Sequence, residues 1–248
     1  MPLLLGLAAV VGVLIGLVGV GGVLLPPGLM FVGGLTASEA AATSLWVFGF
    51  TGVVGTVAYA RRGVVPWAMA GWLSAGIAPG AFLGARANAL LPGPLLVAVM
   101  AAFTIGVGLH QLRRRRPSAE PGGATGESRR GSTLVALGGL VGFGSALTGT
   151  GGPVILVPLL LVLAVPPVRA VAVSQVAQLP VVVAGSVGYL DAGLTDVRLG
   201  TGLGLLAATG ALVGAALATR VRAERLRAIV AAACIGAGLL LLARLVVG

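Results

Sequence analysis

The sequence predicts an all-α polytopic membrane protein made of two inverted structural repeats, each with about five helical segments. Hydrophobic residues make up 58% of the 248 residues and charged residues only 9%, against about 25% charged residues in an average soluble domain. The mean hydropathy is +1.10, and apolar runs long enough to cross a bilayer recur along the chain. The second half also repeats the first at a constant offset of 130 residues.

The repeat is visible in individual residues as well as in hydropathy. Tyr59 matches Tyr189, and these are the only two tyrosines in the chain. Ser44 matches Ser174 in the same register. The further matched pairs are Gly12 and Gly142, Gly19 and Gly149, Gly21 and Gly151, Gly22 and Gly152, Ala40 and Ala170, Gly55 and Gly185, Gly63 and Gly193, Gly80 and Gly210, and Gly84 and Gly214. This register predicts a duplicated fold.

The chain divides into a first transmembrane repeat at 1–112, a linker at 113–131 and a second transmembrane repeat at 132–248. The linker is rich in Arg, Pro, Gly and Glu, a composition typical of an exposed connection. We expect helical segments at about 3–20, 23–36, 39–60, 65–86 and 93–112 in the first repeat, and at about 132–150, 153–166, 170–190, 197–219 and 227–246 in the second.

Two glycine breaks interrupt apolar segments at matching positions. The first break (residues 19–22) reads Gly-Val-Gly-Gly, and the second break (residues 149–153) reads Gly-Thr-Gly-Gly-Pro. Each glycine disfavours a helix by roughly 1 kcal/mol against alanine, and Pro153 lacks a backbone donor. Matched breaks in repeated apolar segments are typical of transporter sites built from discontinuous helices. Because the segments that follow are too short to span a bilayer core, we expect them to start inside the membrane.

A helix that starts at a glycine break would present free N–H groups and a partial positive charge to a small anion. Hydroxyl and amide side chains occur at similar positions in both repeats. The alternatives are a tight turn without a ligand and, for Gln175 and Gln178, a hydrogen bond to another helix. The candidate substrate-binding residues are Gly19, Gly21, Gly22, Thr43, Ser44, Thr148, Gly149, Thr150, Gly151, Gly152, Ser174, Gln175 and Gln178.

Other functional classes are disfavoured by what the sequence contains. The single Cys234 and single His110 make a transition-metal centre or a disulfide framework a poor interpretation. We find no paired carboxylates, nucleophile with a base, or phosphate-binding loop, so we expect no catalytic residues, metal or cofactor and no enzymatic activity. The net charge of +10 comes from arginines at segment ends, which membrane topology explains without a nucleic-acid partner.

Arginines are distributed unevenly between the two sides of the predicted membrane bundle. If every segment crosses, thirteen arginines share the side of the linker and three lie on the other side, namely Arg86, Arg198 and Arg244. If the short segments are re-entrant hairpins, the division is ten to six. The arginine-rich side is usually cytoplasmic, which favours the first arrangement. It predicts a cytoplasmic linker, both termini on the opposite side, and inverted halves, because each half then has an odd number of segments.

The order of these motifs resembles that of the TauE/SafE family, the sulfite and organosulfonate exporters of bacterial membranes. The resemblance is carried by the two glycine breaks, Thr43-Ser44 in the first repeat, and the tyrosine-then-glycine pair of each half. Pro158-Leu159-Leu160 and the Ala170-x-Ala172-x-Ser174 pattern carry it in the second repeat. The likeness covers nearly the whole chain except the linker. One departure is Pro26-Pro27, which comes one or two residues earlier than Pro158 does in its repeat.

The resemblance implies a secondary transporter in the bacterial inner membrane that exports sulfite or a short organosulfonate by alternating access. The alternatives are uptake of another small anion or solute, and a membrane assembly subunit that transports nothing. We expect a small anion and the lipid bilayer as partners, with a homodimer left open and nucleic acid excluded. Flux measurements separate the first two hypotheses, and accessibility at Ser174 and Gln175 tests the third.

Overall fold

All regular structure in the described chain is helical, which confirms the predicted all-α class. The computed structural model describes residues 2–18, 21–113, 131–217 and 223–247. The helices are α1 (Pro2–Val18), α2 (Leu25–Val32), α3 (Ala37–Arg61), α4 (Trp67–Leu90), α5 (Gly93–Arg113), α6 (Gly131–Thr148), α7 (Gly152–Val162), α8 (Pro167–Leu190), α9 (Val197–Leu217) and α10 (Ala223–Val247). A 3-10 turn, Gly21–Leu24, leads into α2.

Seven of the described helices are long and apolar enough to cross a membrane, and they are α3, α4, α5, α6, α8, α9 and α10. The apolar helices α1, α2 and α7 are shorter. This length distribution confirms a multi-pass membrane protein. Each of the three short helices adjoins a glycine break, and the sequence predicts the two that follow the breaks, α2 and α7.

Local sequence explains where the helices depart from the predicted segment ends. The helix α3 begins at Ala37 because the Thr36 hydroxyl accepts from the Glu39 N–H while the Glu39 carboxylate accepts from the Thr36 N–H, a capping box. The helices α2 and α7 end before the predicted positions 36 and 166. Two residues after each of these helices, the backbone has a positive φ angle, 68° at Gly34 and 60° at Ala164. A residue in this left-handed conformation cannot continue a right-handed helix.

Glycines on α4 bring its backbone against that of α6. A Cβ at Gly80 would collide with the backbone of Gly139, and one at Gly84 would collide with that of Phe143. The residue numbers of the contacts increase in the same direction along both helices, so α4 and α6 run parallel. Because the atoms facing these glycines belong to the backbone of α6, no side-chain movement could relieve the clash that a larger residue would cause. These contacts confirm that Gly80 and Gly84 serve helix packing.

The repeat-equivalent helices α9 and α1 pack in the same way. Gly210 lies against Ala9, and Gly214 lies against Val13 and Gly16. The contact positions again rise together, so α1 and α9 are also parallel. The contact between α4 and α6 is thus reproduced with the two repeats exchanged, as a two-fold relation between the halves requires.

Helices that are equivalent to each other in the repeat run antiparallel where they meet. Gly49 of α3 lies against Val182 of α8, and Gly55 lies against Gln175, so the numbering falls on one helix as it rises on the other. The helices α5 and α10 cross with the same opposition of direction. Antiparallel equivalents support the inverted arrangement, which stays a prediction.

The chain reverses direction between α1 and α2. Gly21 lies against Leu14 and Gly28 against Leu7, so α2 runs back along α1. Together with the parallel and antiparallel pairs above, this reversal places the end of α5 and the start of α6 at one end of the bundle. The start of α1 and the end of α10 lie at the other end. We call these the linker end and the terminal end.

Candidate functional site

The second break begins as a Schellman turn at the end of α6. The N–H of Gly149 donates to the carbonyl of Ala146, and the N–H of Thr150 donates to the carbonyl of Ser145, both at 3.2 Å. Gly149 has a φ of 65° and Gly151 a φ of 74°, a region that residues with a Cβ disfavour. Two of the break's glycines are therefore required by the backbone itself.

The helix α7 starts beside the middle of α8. A Cβ at Gly152 would lie 3.6 Å from Gln178, which is close to the midpoint of that helix. No side chain caps the preceding Gly151, so the first turn of α7 presents its N–H groups toward the break. A helix N-terminus with its partial positive charge thus lies inside the bundle.

The first break approaches the second. A Cβ at Gly22 would lie 3.6 Å from the carbonyl oxygen of Thr150, while Gly21 packs on Leu14 of α1. Gly19 lies outside the described residues. The described part of the first break therefore reaches the second break, as the two-fold register predicts.

The ring of Phe48 fills the space between the two breaks. A Cβ at Gly22 would lie 3.0 Å from this ring, and one at Gly151 would lie 3.1 Å from it. Phe48 is buried on α3. An apolar ring therefore separates the described parts of the two breaks.

Three threonine hydroxyls lie together beside the second break. The hydroxyl oxygens of Thr148 and Thr150 are 2.8 Å apart, and Thr148 also donates to the carbonyl of Gly144 at 2.8 Å. Thr104 of α5 donates to the carbonyl of Met100 at 2.6 Å. All three hydroxyl side chains are buried.

These hydroxyls line a small gap that we call the hydroxyl cavity. Its empty volume is about 140 Å³, and it is too narrow for a water-sized sphere. It lies where α2, α5 and the second break meet. The lining residues are Pro26, Pro27, Met100, Thr104, Thr148 and Thr150. In this structure the cavity has no room for a ligand, so one could bind only if these elements separate.

Ser44 lies on the face of α3 that contacts the second break. Ala41 touches Gly149 and Phe48 touches Gly151, and Ser44 is three residues from one and four from the other, so it shares their helix face. Its hydroxyl is fully buried and has no hydrogen-bond partner among the described residues. Ser44 therefore offers an unused donor and acceptor beside the break.

Three of the sequence-predicted residues lie away from the hydroxyl cavity. The Thr43 hydroxyl accepts from the backbone N–H of Asp196 at 3.3 Å, so it faces the start of α9. Ser174 donates to the carbonyl of Val171 within its own helix at 2.8 Å. The Gln175 side chain packs on Gly55 between α3 and α8. The spacing along a helix shows which residues share a face, but not which neighbour that face meets.

Gln178 bonds to α3. Its amide nitrogen donates to the carbonyl of Phe48 at 2.6 Å and to the hydroxyl of Thr51 at 3.1 Å. This is the helix-to-helix hydrogen bond that the sequence leaves open as an alternative. Gln178 therefore fixes the crossing of α3 and α8 next to the start of α7.

A larger groove runs between α5 and α7 toward the linker end. Its volume is about 400 Å³, and its lining is apolar apart from His110 and Gln111 at the outer end. At the inner end it reaches Val154, in the first turn of α7. The Gln111 side-chain oxygen is buried without a partner among the described residues. The groove thus connects the linker end with the neighbourhood of the second break.

Sequence reasoning missed Thr104 and Phe48. Thr104 is an isolated hydroxyl in the fifth segment and Phe48 is an apolar residue in the third, so neither carries a polar pattern. The 130-residue register offered one signal, because Phe48 occupies the position of Gln178 in the other half. Among the described residues, no group of three His, Cys, Asp or Glu side chains could hold a metal ion.

The seven membrane-length helices and the interrupted helices that meet inside the bundle are typical of a polytopic membrane transporter. A family model for the sulfite exporter TauE/SafE matches residues 4–241. The chain belongs to the TauE/SafE family, whose members are membrane transporters and not enzymes. Membership indicates a membrane transporter of sulfur anions. The chain matches no curated protein and no solved structure.

Proposed function

We propose that the protein exports sulfite or a short organosulfonate across the bacterial inner membrane and binds the anion at the hydroxyl cavity. The observation that carries this proposal is the gathering of Thr104, Thr148 and Thr150 beside the N-terminus of α7. A hydroxyl proton can rotate from a backbone carbonyl to a ligand. Hydrogen bonds to an anion are stronger than those to a neutral carbonyl, so three hydroxyls suit the oxygens of a sulfur oxyanion.

The groove between α5 and α7 is the route by which the anion would reach the cavity from the linker end. It extends from His110 and Gln111 to Val154, and α5 also supplies Thr104 to the cavity. A short inward movement of an anion from Val154 would bring it to the second break. Separation of α2 from α5 would then open the cavity, because Pro26 and Pro27 form its opposite wall.

At the terminal end, two contacts join helices of different repeats. The Arg86 guanidinium lies 2.8 Å from the Asp191 carboxylate and joins α4 to α8. The Arg244 guanidinium donates to the carbonyl of Met30 at 3.5 Å and joins α10 to α2. A groove at one end and interhelical contacts at the other are what one state of an alternating-access transporter would have. Exchange of these roles between inverted repeats would open the other side.

The direction of export depends on which end faces the cytoplasm. Thirteen arginines lie at the linker end in the ten-segment arrangement, and only Arg86, Arg198 and Arg244 lie at the terminal end. Positive residues are retained on the cytoplasmic side. The groove would therefore open to the cytoplasm, where an exporter must collect its anion. The homodimer that the sequence leaves open stays a prediction.

The lack of space for water near the second break is what a non-transporting assembly subunit, the alternative function, would show. Ser174 is fully buried and Gln175 nearly so, and the hydroxyl cavity admits no water-sized sphere. The groove and the family membership favour transport over this alternative. Uptake instead of export would use the same groove in the opposite direction, and a flux assay separates the two.

Flux of labelled sulfite, sulfoacetate and taurine in proteoliposomes tests the proposal. We expect at least one of these anions to cross the membrane from the linker end of the protein to its terminal end. Replacing both Gly151 and Gly152 with leucine should abolish this flux, because the new side chains would occupy the start of α7. Gly202→Leu is the matched control, since a Cβ at Gly202 meets no neighbour within 4 Å. Unchanged flux in the double variant would contradict the site.

A further inference from the structure

Two side chains from other helices hold the last turn of α6, directly before the second break. The Tyr189 hydroxyl of α8 donates to the carbonyl of Ala146 at 2.5 Å. The Asn88 amide of α4 donates to the carbonyl of Leu147 at 2.7 Å. Both side chains are fully buried. We call these two hydrogen bonds the carbonyl clamp.

The clamp acts on the carbonyls that a helix end leaves without helical partners. The carbonyl of Ala146 also accepts from the N–H of Gly149 in the Schellman turn, so Tyr189 bonds to the turn itself. Leu147 directly precedes Thr148, whose hydroxyl lies 2.8 Å from that of Thr150. The positions of both cavity hydroxyls on the second break therefore depend on where the clamp holds this turn.

Among the described residues, the first break has no equivalent of this clamp. Tyr59 is the repeat equivalent of Tyr189, but it is only partly buried and its ring lies 5.7 Å from the Arg62 guanidinium carbon. The repeat equivalent of Asn88 is Ala218, which has no amide to donate. The clamp therefore belongs to the break that also carries the threonine hydroxyls.

We propose that Tyr189 and Asn88 are positioning residues that hold Thr148 and Thr150 in the geometry that binds the anion. This inference rests on the proposed anion site. Neither side chain lines the hydroxyl cavity, so each acts through the backbone of the last turn of α6. Loss of the clamp frees the turn to sample other positions and weakens anion binding, while the helices themselves keep their packing.

Tyr189→Phe removes one clamp hydrogen bond and keeps the ring, and Tyr59→Phe is the matched control in the other repeat. For labelled sulfite in proteoliposomes, we expect Tyr189→Phe to raise KM about tenfold, the effect of losing one good hydrogen bond, with Vmax within about twofold. Tyr59→Phe should leave both constants unchanged. A loss of folded protein alone would lower Vmax and leave KM as it is.

Hydrogen exchange of residues 146–156, followed by mass spectrometry without substrate, measures the clamp independently of transport. We expect faster exchange of this segment in Tyr189→Phe and no change in Tyr59→Phe. If Tyr189→Phe does not fold, Asn88→Leu, which is similar in volume, tests the same turn by both measurements.

The outcomes separate the clamp from the site. Unchanged exchange in the folded variants would overturn the clamp, and faster exchange with an unchanged KM would overturn its role in anion binding. Absence of flux for every anion in the wild-type protein would instead contradict the proposed function, while the exchange data would still judge the clamp.

Discussion

The two glycine breaks share a backbone register but not a chemistry. Both interrupt an apolar segment, and both approach the ring of Phe48. The hydroxyl residues of the second break's cavity have no hydroxyl counterparts in the other half. In the 130-residue register, Thr104 corresponds to Cys234, Thr148 to Val18 and Thr150 to Val20. The duplication therefore supplies two similar scaffolds, and only the cavity beside the second break has threonines at these three positions.

The surroundings of Cys234 show what the same scaffold does without hydroxyls. Cys234 is fully buried in an apolar cluster with Val23, Val154 and Val230. Packing alone holds this side of the bundle, whereas the side of Thr104 keeps a gap lined by hydroxyls. This difference supports the proposal that the second break is the ligand site and that the first serves mainly as a packed partner. The following substitutions test this division, from the largest expected effect to the smallest.

Gly149→Ala should cause the largest loss of stability. The left-handed φ of Gly149 costs a side-chain-bearing residue roughly 1–2 kcal/mol, and its Cβ would collide with the backbone of Ala41. Overpacking typically adds roughly 1–3 kcal/mol. Thermal unfolding in detergent measures the loss, with Gly202→Ala as a control that meets open space. Equal melting temperatures for the two variants would contradict the strained turn.

Gly80→Ala and Gly210→Ala test whether the scaffold is alike in both halves. A Cβ at Gly80 would collide with the backbone of Gly139, and one at Gly210 would lie 2.8 Å from the carbonyl oxygen of Ala9. We expect both to lower the free energy of unfolding by about 2 kcal/mol, as overpacking does, and Gly80→Ala by more. Gly71→Ala on α4 meets no neighbour and should not destabilise. If only one half were sensitive, the scaffolds would not be equivalent.

Thr104→Val should weaken sulfite transport about tenfold in KM, equivalent to about 1.4 kcal/mol, because it removes one hydroxyl without changing the volume. Thr209→Val is the matched control, since Thr209 also donates to a carbonyl of its own helix but lies on an exposed face. Cys234→Val, at the repeat-equivalent position, should leave KM unchanged. An equal rise in KM for Thr104→Val and Cys234→Val would show that both halves bind the anion.

Asp191→Asn should have the smallest effect. The ion pair with Arg86 is about half exposed, and exposed pairs contribute roughly 0–1 kcal/mol. Its repeat-equivalent positions are Arg61 and Ala216, which cannot form such a pair. We expect a loss below about 1 kcal/mol that shrinks as salt is added, measured by thermal unfolding at two ionic strengths. A larger loss, independent of salt, would assign this pair a structural role that its exposure argues against.

Much of the fold follows from hydropathy and from the repeat. Apolar length predicts the helices, and the glycine breaks predict where α6 ends and α7 begins. The sequence predicts Thr148 and Thr150 as site residues because Thr150 lies within the second break and Thr148 directly precedes it. The gathering of these residues with Thr104 could not be predicted, because a single sequence does not show which helix packs beside the second break.

The candidate residues on α3 and α8 show the same limit. Thr43 and Ser44 are adjacent in sequence, yet Thr43 faces α9 while Ser44 faces the second break. Gln178 was recognised as a buried amide, but its partner, the carbonyl of Phe48, belongs to the backbone of another helix. Tertiary packing decides which side of each helix reaches the site.

The most direct test of a one-sided anion site is the KM for sulfite of the double variant Thr148→Val/Thr150→Val, measured beside Thr209→Val in proteoliposomes. Two buried hydroxyls of the second break are removed without loss of volume, and the first break keeps its valines at the matching positions. We expect KM to rise at least tenfold, the effect of losing one good hydrogen bond, while Thr209→Val matches the wild type. A wild-type KM in the folded double variant would contradict binding at the hydroxyl cavity.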